Sequence, residues 1–465
     1  MASTLETQHL SDLHRRAADL GIERFRMLGR DELVAAILER DPDAAAAGPA
    51  DDARSAGSAG SAGSAGSAGS AGSAGEARER RPRRRRERGG RRRGGRDEED
   101  AEPGDDEEDV EGEPVAGVLD ITPRGHGFIR IGGLGTAAEE DVYVSPSQIR
   151  RCELQRGDEV AGPARKPRRG ERYPALIHVD TINGVAPGEE RARLADATPV
   201  HPSRRLDLTP PPDAAPEDAI LLRAIDLLTP LARGQRVLVN ARPGSGRTTL
   251  LRALAAAIGR ADDIELVVLL IDERPEEVAA WREAAPAADL VVATAEMRSG
   301  EQLRLVELAL GRASRKAESG ADVVMLIDSI SRIAVAADDP GRAKPIFGAG
   351  RETAEEGVGS LTVVATTLGD GGEDQGGVER ILETTENVLI VLDPDLAARG
   401  IYPAIDFSAS RLSGEEQIRD ADELAAARKL RHDLGSLTTE LAAAEVRRLI
   451  EGFPDNPAAL GSIRT

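Results

Sequence analysis

Six short, mostly apolar segments in the second half of the chain most constrain its fold, and helical periodicity separates them. They span residues 237–241, 265–272, 290–295, 322–328, 361–368 and 386–393. Strands that are apolar throughout are typical of a parallel sheet with helices on both faces. The sequence therefore predicts an α/β domain whose ligand lies at the carboxyl edge of the sheet.

A glycine-containing loop follows the first of these strands and leads into the helical stretch LLRALAAAI. Strand, loop and helix in this order are the context of a P-loop, in which glycines let backbone amides approach phosphate oxygens. The predicted phosphate-binding residues are Gly244, Ser245, Gly246, Arg247, Thr248 and Thr249. Thr248 would place its hydroxyl on Mg²⁺. The alternative is a purely structural turn between strand and helix.

The loop departs from the usual pattern G-x-x-x-x-G-K-[ST] at two positions. Ala241 stands at the first glycine and Arg247 at the lysine. Arginine keeps the positive charge but replaces a compact ammonium with a wider planar fork. Nucleotide binding could therefore survive where turnover does not.

Acidic residues end two further strands of the predicted sheet. Glu273 follows an apolar strand, where a carboxylate could orient and deprotonate a water that attacks the γ-phosphate. Asp328 ends another strand, the usual place of the acid that holds the Mg²⁺ shell. Either acid alone is more often a helix cap. Together with the glycine loop they favour a nucleotide site with ATP and Mg²⁺ as cofactors.

Composition changes along the chain predict four regions. Residues 1–45 have helical spacing and are expected to form a small helical module. Residues 46–113 hold seven Ser-Ala-Gly triplets, an arginine-rich block and an acidic block, which are typical of a disordered linker. Residues 114–195 contain five short alternating runs that predict a small β-barrel. Residues 196–465 are expected to form the α/β P-loop domain.

The overall charge restricts where nucleic acid could bind. The 465 residues include 82 acidic and 61 basic ones, a net charge of −21, so a basic coat is excluded and any such site must be local. The arginine block at 78–96 could attract RNA phosphates, or it could be a solvated linker neutralised by the adjoining acidic block.

The cysteine content and the lengths of the apolar runs indicate the cellular compartment of the protein. The single cysteine, Cys152, excludes a disulfide framework and paired zinc ligands. No run approaches eighteen apolar residues and no apolar signal core follows the first methionine, so we expect a cytoplasmic protein without a membrane span.

Longer motifs resemble the bacterial transcription termination factor Rho family, whose members are hexameric RNA-dependent ATPases and helicases. The most specific are DVYVSPSQIRR at 141–151, GERYPAL at 170–176, RGQRVLV at 233–239, VLLIDERPEEV at 268–278, LIDSISR at 326–332 and YPAID at 402–406. The resemblance covers roughly Val115 to the C-terminus. It implies an OB/cold-shock-like barrel, a RecA-like ATPase domain and a homohexameric ring that binds single-stranded nascent RNA. RNA polymerase and elongation factors are further candidate partners.

The resemblance places the primary RNA site on three segments of the barrel. They comprise Gly125, His126, Gly127, Phe128, Ile129 and Arg130, then Asp141, Val142 and Tyr143, then Glu171, Arg172 and Tyr173. Aromatic faces beside guanidinium groups suit single-stranded RNA. The aromatics could instead belong to the barrel core.

The resemblance also assigns residues of the ATPase domain. It gives nucleotide contacts to Ala232, Arg233, Gly234, Gln235, Arg236 and Val237, to 244–249, to Arg274 and to Tyr402, which would pack on adenine. Glu273 would be the general base and Asp328, with Thr248, would hold Mg²⁺. Arg411 lies near, but out of register with, the family's arginine finger, which acts from a neighbouring subunit.

The departures from the family concentrate in the parts that move RNA. Residues 333–346 are too short for the glycine-rich channel loop, and the second loop at 369–377 is acidic and lacks a lysine. An acidic loop repels RNA phosphates. The sequence favours an RNA-dependent ATPase and helicase that promotes termination. One alternative is a degenerate paralogue that binds RNA, with or without nucleotide, and has no motor activity. The other, less consistent with the barrel, is a rotary ATP-synthase-like subunit.

Overall fold

A computed structural model describes residues 20, 36–37, 40, 112–135, 138–369 and 376–463. The chain divides into two units, residues 1–101 and residues 102–465. Of the first unit only four residues are described, with 36, 37 and 40 helical. The predicted helical module therefore stays a prediction, and the Ser-Ala-Gly, arginine-rich and most acidic residues of the linker lie outside the described ranges.

The second unit begins with a closed five-stranded barrel. Its strands are β1 (Glu113–Ile121), β2 (Gly127–Arg130), β3 (Val142–Val144), β4 (Glu159–Arg165) and β5 (Ala175–Leu176). They follow the order β1-β2-β3-β5-β4, and antiparallel pairing of β1 with β4 closes the barrel. β6 (Thr181–Ile182) pairs with the start of β4, and α1 (Pro146–Arg151) lies between β3 and β4. The predicted OB-like barrel is confirmed, with the last predicted run divided between β5 and β6.

Alternation along the barrel strands separates a core from an outer face. Leu119, Ile129 and Val142 are at most 1% exposed and pack inside the barrel. Phe128 pairs with Tyr143 across β2 and β3, on the opposite, outer face. Because successive side chains of a strand point to opposite faces, one strand can fill the core and present a binding surface.

The ATPase domain is built on a seven-stranded sheet. Its strands are β8 (Arg236–Ala241), β9 (Ile264–Glu273), β10 (Asp289–Thr294), β11 (Asp322–Asp328), β13 (Leu361–Thr367), β14 (Val388–Leu392) and β15 (Arg411–Leu412). The order is β10-β9-β11-β13-β8-β14-β15, parallel except for β15. β7 (Pro199–Val200) and β12 (Glu352–Thr353) form a separate ribbon. All six predicted apolar strands are confirmed.

Helices cover both faces of this sheet. They are α2 (Pro216–Leu228), α3 (Arg247–Ile258), α4 (Pro275–Ala284), α5 (Ser299–Glu318), α6 (Ile330–Ala337), α7 (Ala343–Phe347), α8 (Gly376–Leu382), α9 (Pro394–Ala398), α10 (Ala421–Leu434), α11 (Thr439–Gly452) and α12 (Asn456–Gly461), with 3₁₀ turns at Pro340–Arg342 and Glu415–Gln417. In β9, Val268 packs toward α2 and α3, whereas Val267 and Leu269 pack toward α5. No helix in the described part of the chain is long and apolar enough to cross a membrane.

Buried charges join the barrel to the ATPase domain. The Asp120 carboxylate, 3% exposed, lies 2.7 Å from Arg130 of the barrel, 2.7 Å from Arg304 of α5 and 3.8 Å from Arg156. At the same junction Gly157 has φ +89°, and a Cβ on it would overlap the backbone of Gly311. Backbone contact and shared ion pairs therefore fix the barrel against α5.

We predict that Asp120→Asn destabilises the barrel by about 3 kcal/mol, because it removes the buried negative charge that pairs with both Arg130 and Arg304. Arg130 keeps its ion pair with Asp141 in this variant. Hydrogen exchange of the barrel amides measures this loss. The matched control is Asp180→Asn, since Asp180 is 56% exposed beside His178; we expect a change within about 0.5 kcal/mol. Equal effects of the two variants would contradict the prediction.

Candidate nucleotide and RNA sites

The predicted phosphate loop connects the carboxyl end of β8 to the start of α3. Gly244 and Gly246 have φ values of +81° and +93°, which favour glycine. The buried Ser245 closes the turn by donating from Oγ to the Arg242 carbonyl at 2.7 Å. Helix α3 begins at Arg247, so its free amides and dipole face the loop. The loop has the local geometry of an anion site.

The side chain of Arg247 forms an ion pair with Asp328. Arg247 Nε lies 2.9 Å from Asp328 Oδ1, outside hydrogen-bond geometry, and the Asp328 side chain is 1% exposed. Thr366 of β13 donates to the same carboxylate oxygen at 3.2 Å. Arg247 lines the cavity beside the loop, whereas Asp328 does not. The arginine thus contacts both the cavity and the acid.

A bulge in β9 directs Glu273 toward this site. Asp272 has φ +54° and is skipped in the pairing of β9 with β10, where Ala293 pairs with Ile271 and Thr294 with Glu273. An extra residue in a strand reverses the alternation of side chains. Glu273, 9% exposed, therefore lines the cavity, while Asp272 is exposed.

Arg332 of α6 holds Glu273 in place. Its Nη1 donates to Glu273 Oε2 at 2.9 Å and to the Ile271 carbonyl at 2.7 Å, and it also contacts the Asp272 carbonyl. The motif LIDSISR contains this arginine, yet no role was predicted for it. The sequence signal for a role of Arg332 was its position: it lies one helical turn after Asp328, the residue that ends a strand.

Burial controls the protonation of both acids. Burial raises the pKa of Glu273, with Arg332 and Arg247 opposing the effect and nearby Asp328 adding to it. Burial also raises the pKa of Asp328, opposed first by Arg247. Both carboxylates therefore depend on their arginine partners to stay charged.

The residues present fit a nucleotide with a divalent cation. Asp328 Oδ2 is buried without a hydrogen-bond partner among the described residues. Within those ranges no group of three or more His, Cys, Asp or Glu could hold a metal. A cation here would need phosphate oxygens as further ligands, which is how Mg²⁺ usually binds in such sites.

Residues 232–237 lie at the other end of β8. Arg233 pairs with Asp263 at 2.6 Å, and Arg236 donates to the Thr385 and Gly350 carbonyls at 2.6 and 2.9 Å. The Gly234 amide donates to Thr362 Oγ1 at 2.8 Å. Ala232, Gln235 and Val237 are buried. The structure does not bring these six predicted nucleotide contacts to the phosphate loop of the same chain.

Some of the other predicted nucleotide contacts line the cavity, and others do not. Arg274 precedes α4 and lines the cavity with Thr248 and Thr249. Tyr402 does not line it; this side chain packs on the core, and burial raises its pKa, with Asp218 and Glu217 adding to the effect. Arg411 donates to Glu386 at 2.7 Å at the amino end of β14. Arg411 thus lies at the end of the sheet opposite the phosphate loop of its own chain, and Tyr402 lies outside the cavity lining.

Four aromatic rings cluster on the outer face of the barrel. Ring centroids lie 5.6 Å apart for His126 and Phe128, 5.9 Å for Phe128 and Tyr143, and 5.0 Å for Phe128 and Tyr173. The Arg172 guanidinium lies 5.3 Å from the Tyr173 ring centre. All four rings are partly exposed and none belongs to the barrel core. Core packing therefore does not account for these aromatics.

Charged and apolar neighbours support this aromatic cluster. Arg130, 7% exposed, contacts Asp120 and Asp141, so both Arg130 and Asp141 are paired inside the protein. Ile129 and Val142 lie in the barrel core. We therefore expect these predicted RNA residues to position the aromatic rings, with RNA contacts left to the partly exposed groups.

The turn before Tyr173 is tied by Glu171. Its carboxylate accepts from Arg165 at 2.6 and 2.8 Å and from the Arg168 amide at 2.8 Å. These bonds lower the pKa of Glu171 to about 2. Gly125, with φ +86°, and Gly127 shape the hairpin that carries His126. Both turns place aromatic residues at the same face.

The two segments at the positions of the family's channel loops are residues 333–346 and 369–377, and the structure describes all of the first but only part of the second. Residues 333–346 fold compactly into the end of α6, a 3₁₀ turn and the start of α7. This agrees with the absence of a long loop there. Residues 370–375 of the acidic segment lie outside the described ranges.

The barrel and the ATPase sheet each match a known family. Residues 115–188 match the Rho termination factor RNA-binding domain, and residues 222–344 match the ATP synthase alpha/beta family nucleotide-binding domain. The chain therefore combines an RNA-binding barrel with a nucleotide-binding ATPase domain. The first match argues against a rotary subunit.

Relatives over most of the chain carry the same combination. Transcription termination factor Rho of Haemophilus influenzae is 39% identical over 332 residues, covering 66% of this chain and 77% of that protein. The Bacillus subtilis protein of the same name is 38% identical, covering 67% and 76%. The Mycobacterium leprae one is 36% identical, covering 71% and 57%. The chain belongs to the transcription termination factor Rho family, and the resemblance of its motifs is confirmed.

We predict that Phe128→Ala and Tyr143→Ala each weaken binding of single-stranded RNA by about 1–3 kcal/mol, because each removes a stacking surface. Fluorescence anisotropy with a labelled cytidine-rich RNA measures the affinity. His178→Ala is the control, since His178 is an exposed barrel residue outside the cluster. Unchanged affinity of both aromatic variants would exclude the cluster as the RNA surface.

Proposed function

We propose that this chain is an RNA-dependent ATPase and helicase that binds nascent RNA and promotes transcription termination. The observation that carries the proposal is the meeting of Glu273, Arg332 and the phosphate loop around one cavity, in a chain that also has an aromatic barrel face. RNA polymerase and elongation factors are candidate partners. Hydrolysis would be coupled to movement along RNA.

The proposed roles in hydrolysis follow from contacts in the cavity. The loop amides and Arg247 bind phosphate, and Thr248 with Asp328 would hold Mg²⁺. When bound, Mg²⁺ neutralises charge that develops on the phosphates. Glu273 accepts a proton from the attacking water, and Arg332 keeps the Glu273 carboxylate oriented.

A homohexameric ring would explain the residues that lie away from the loop. Arg411 is 50% exposed and its partner Glu386 is 6% exposed. From the far end of the sheet Arg411 can serve only the site of another copy. A finger supplied by a neighbour stabilises the transition state of phosphoryl transfer.

A second candidate function is binding of RNA and nucleotide without motor activity. The Arg247–Asp328 ion pair favours it, because the arginine occupies the carboxylate that a cation would need. The compact segment 333–346 favours it too. The two candidates differ in hydrolysis and agree in binding.

We expect RNA to stimulate ATP hydrolysis by the purified chain, and Glu273→Gln to reduce it by at least about a hundredfold without loss of nucleotide affinity. Glu276→Gln is the matched control, because it is the same substitution at an exposed acid of α4 that does not line the cavity. Hydrolysis and binding are measured on the same preparations. RNA and nucleotide binding without hydrolysis would select the second candidate.

We predict that the acid limb of the pH profile of RNA-stimulated kcat lies above the ordinary glutamate pKa of about 4.3. A general base acts deprotonated, and burial raises the pKa of Glu273, so activity falls as pH drops through this raised value. Nucleotide affinity over the same pH range separates this effect from protonation of the phosphates. A limb at or below the ordinary value would contradict the prediction.

A further inference from the structure

The cavity beside the phosphate loop is lined by four arginines and two glutamates. The arginines are Arg242, Arg247, Arg274 and Arg332, and the glutamates are Glu273 and Glu277. Glu277 is paired with Arg252 at 2.5 Å and Glu273 with Arg332 at 2.9 Å. Protein partners thus already neutralise the acids, and the cavity keeps an excess of positive charge.

The two edges of the Arg247 guanidinium have different surroundings. Its Nε faces Asp328 Oδ1 at 2.9 Å, and no hydrogen bond from its terminal nitrogens is present among the described residues. A guanidinium carries five N–H donors in a planar fork, so it can contact an acid with one edge and phosphate with the other. A lysine ammonium is a single point charge.

We infer that Arg247 serves as the resident counter-cation for the nucleotide phosphates, so that nucleotide binds at this site without Mg²⁺. This deepens the proposed function and rests on it. Asp328 is buried and does not line the cavity, whereas Arg247 lines it and pairs with Asp328 Oδ1, so the arginine already supplies positive charge between this acid and the cavity. Mg²⁺ is then needed for hydrolysis, whereas binding relies on guanidinium groups.

The test is equilibrium binding of a fluorescent ATP analogue to the full chain, with Mg²⁺ or with EDTA. We expect the Kd of the unaltered protein to change by less than about threefold between the two conditions. Arg247→Lys should bind at least about tenfold more tightly with Mg²⁺ than with EDTA, because the ammonium cannot bridge. Arg282→Lys is the matched control: Arg282 is an exposed arginine of α4 outside the cavity lining, so this variant should keep the small ratio of the unaltered protein.

Each outcome bears on the inference. A tenfold or greater loss of affinity of the unaltered protein in EDTA, about 1.4 kcal/mol or more, would overturn it and leave the proposed function standing. An Arg247→Lys variant with the same small Mg²⁺ dependence would remove Arg247 from the role. Absence of nucleotide binding in both conditions would overturn the inference together with the proposed nucleotide site. Thermal unfolding of each variant confirms that it is folded.

Discussion

The parallel direction of six strands determines where chemistry can occur in this chain, because helices cover both faces of the sheet and leave its edges. Because the strands run the same way, the carboxyl ends of β8, β9 and β11 meet at one edge. That edge receives the phosphate loop, Glu273 and Asp328. β13 lies between β11 and β8 and contributes Thr366 to Asp328. The site is therefore a consequence of strand order.

The barrel uses one outer face in two ways. Phe128 and Tyr143 stay partly exposed, while Asp120, the cross-strand neighbour of Phe128 on β1, is buried with Arg130 and pairs with Arg304 of α5. Charges that cannot be buried alone are paired across the domain junction. The same ion pairs that fix the barrel therefore also fix the direction in which its aromatic cluster faces.

Most of the fold could be predicted from periodicity, and less of the site. Apolar runs identified all six parallel strands, and alternation identified the barrel. The bulge at Asp272 could not be predicted, because a positive φ at a non-glycine residue depends on tertiary contacts. The pairing of Arg130 with Asp120 and Asp141 was also missed. An arginine two residues from an aromatic residue on a strand has the same sequence pattern whether its guanidinium contacts RNA or a buried carboxylate.

We expect the arginine at the P-loop lysine position to have different consequences for nucleotide binding and for turnover. The guanidinium keeps the positive charge of a lysine, and its planar fork can contact Asp328 with one edge and phosphate with the other. The same contact engages the acid that we propose to hold Mg²⁺. Binding energy gained in the ground state does not lower the barrier to hydrolysis unless it increases in the transition state. We therefore expect the departures at Arg247 and in residues 333–346 to affect hydrolysis and movement along RNA more than recognition of nucleotide and RNA.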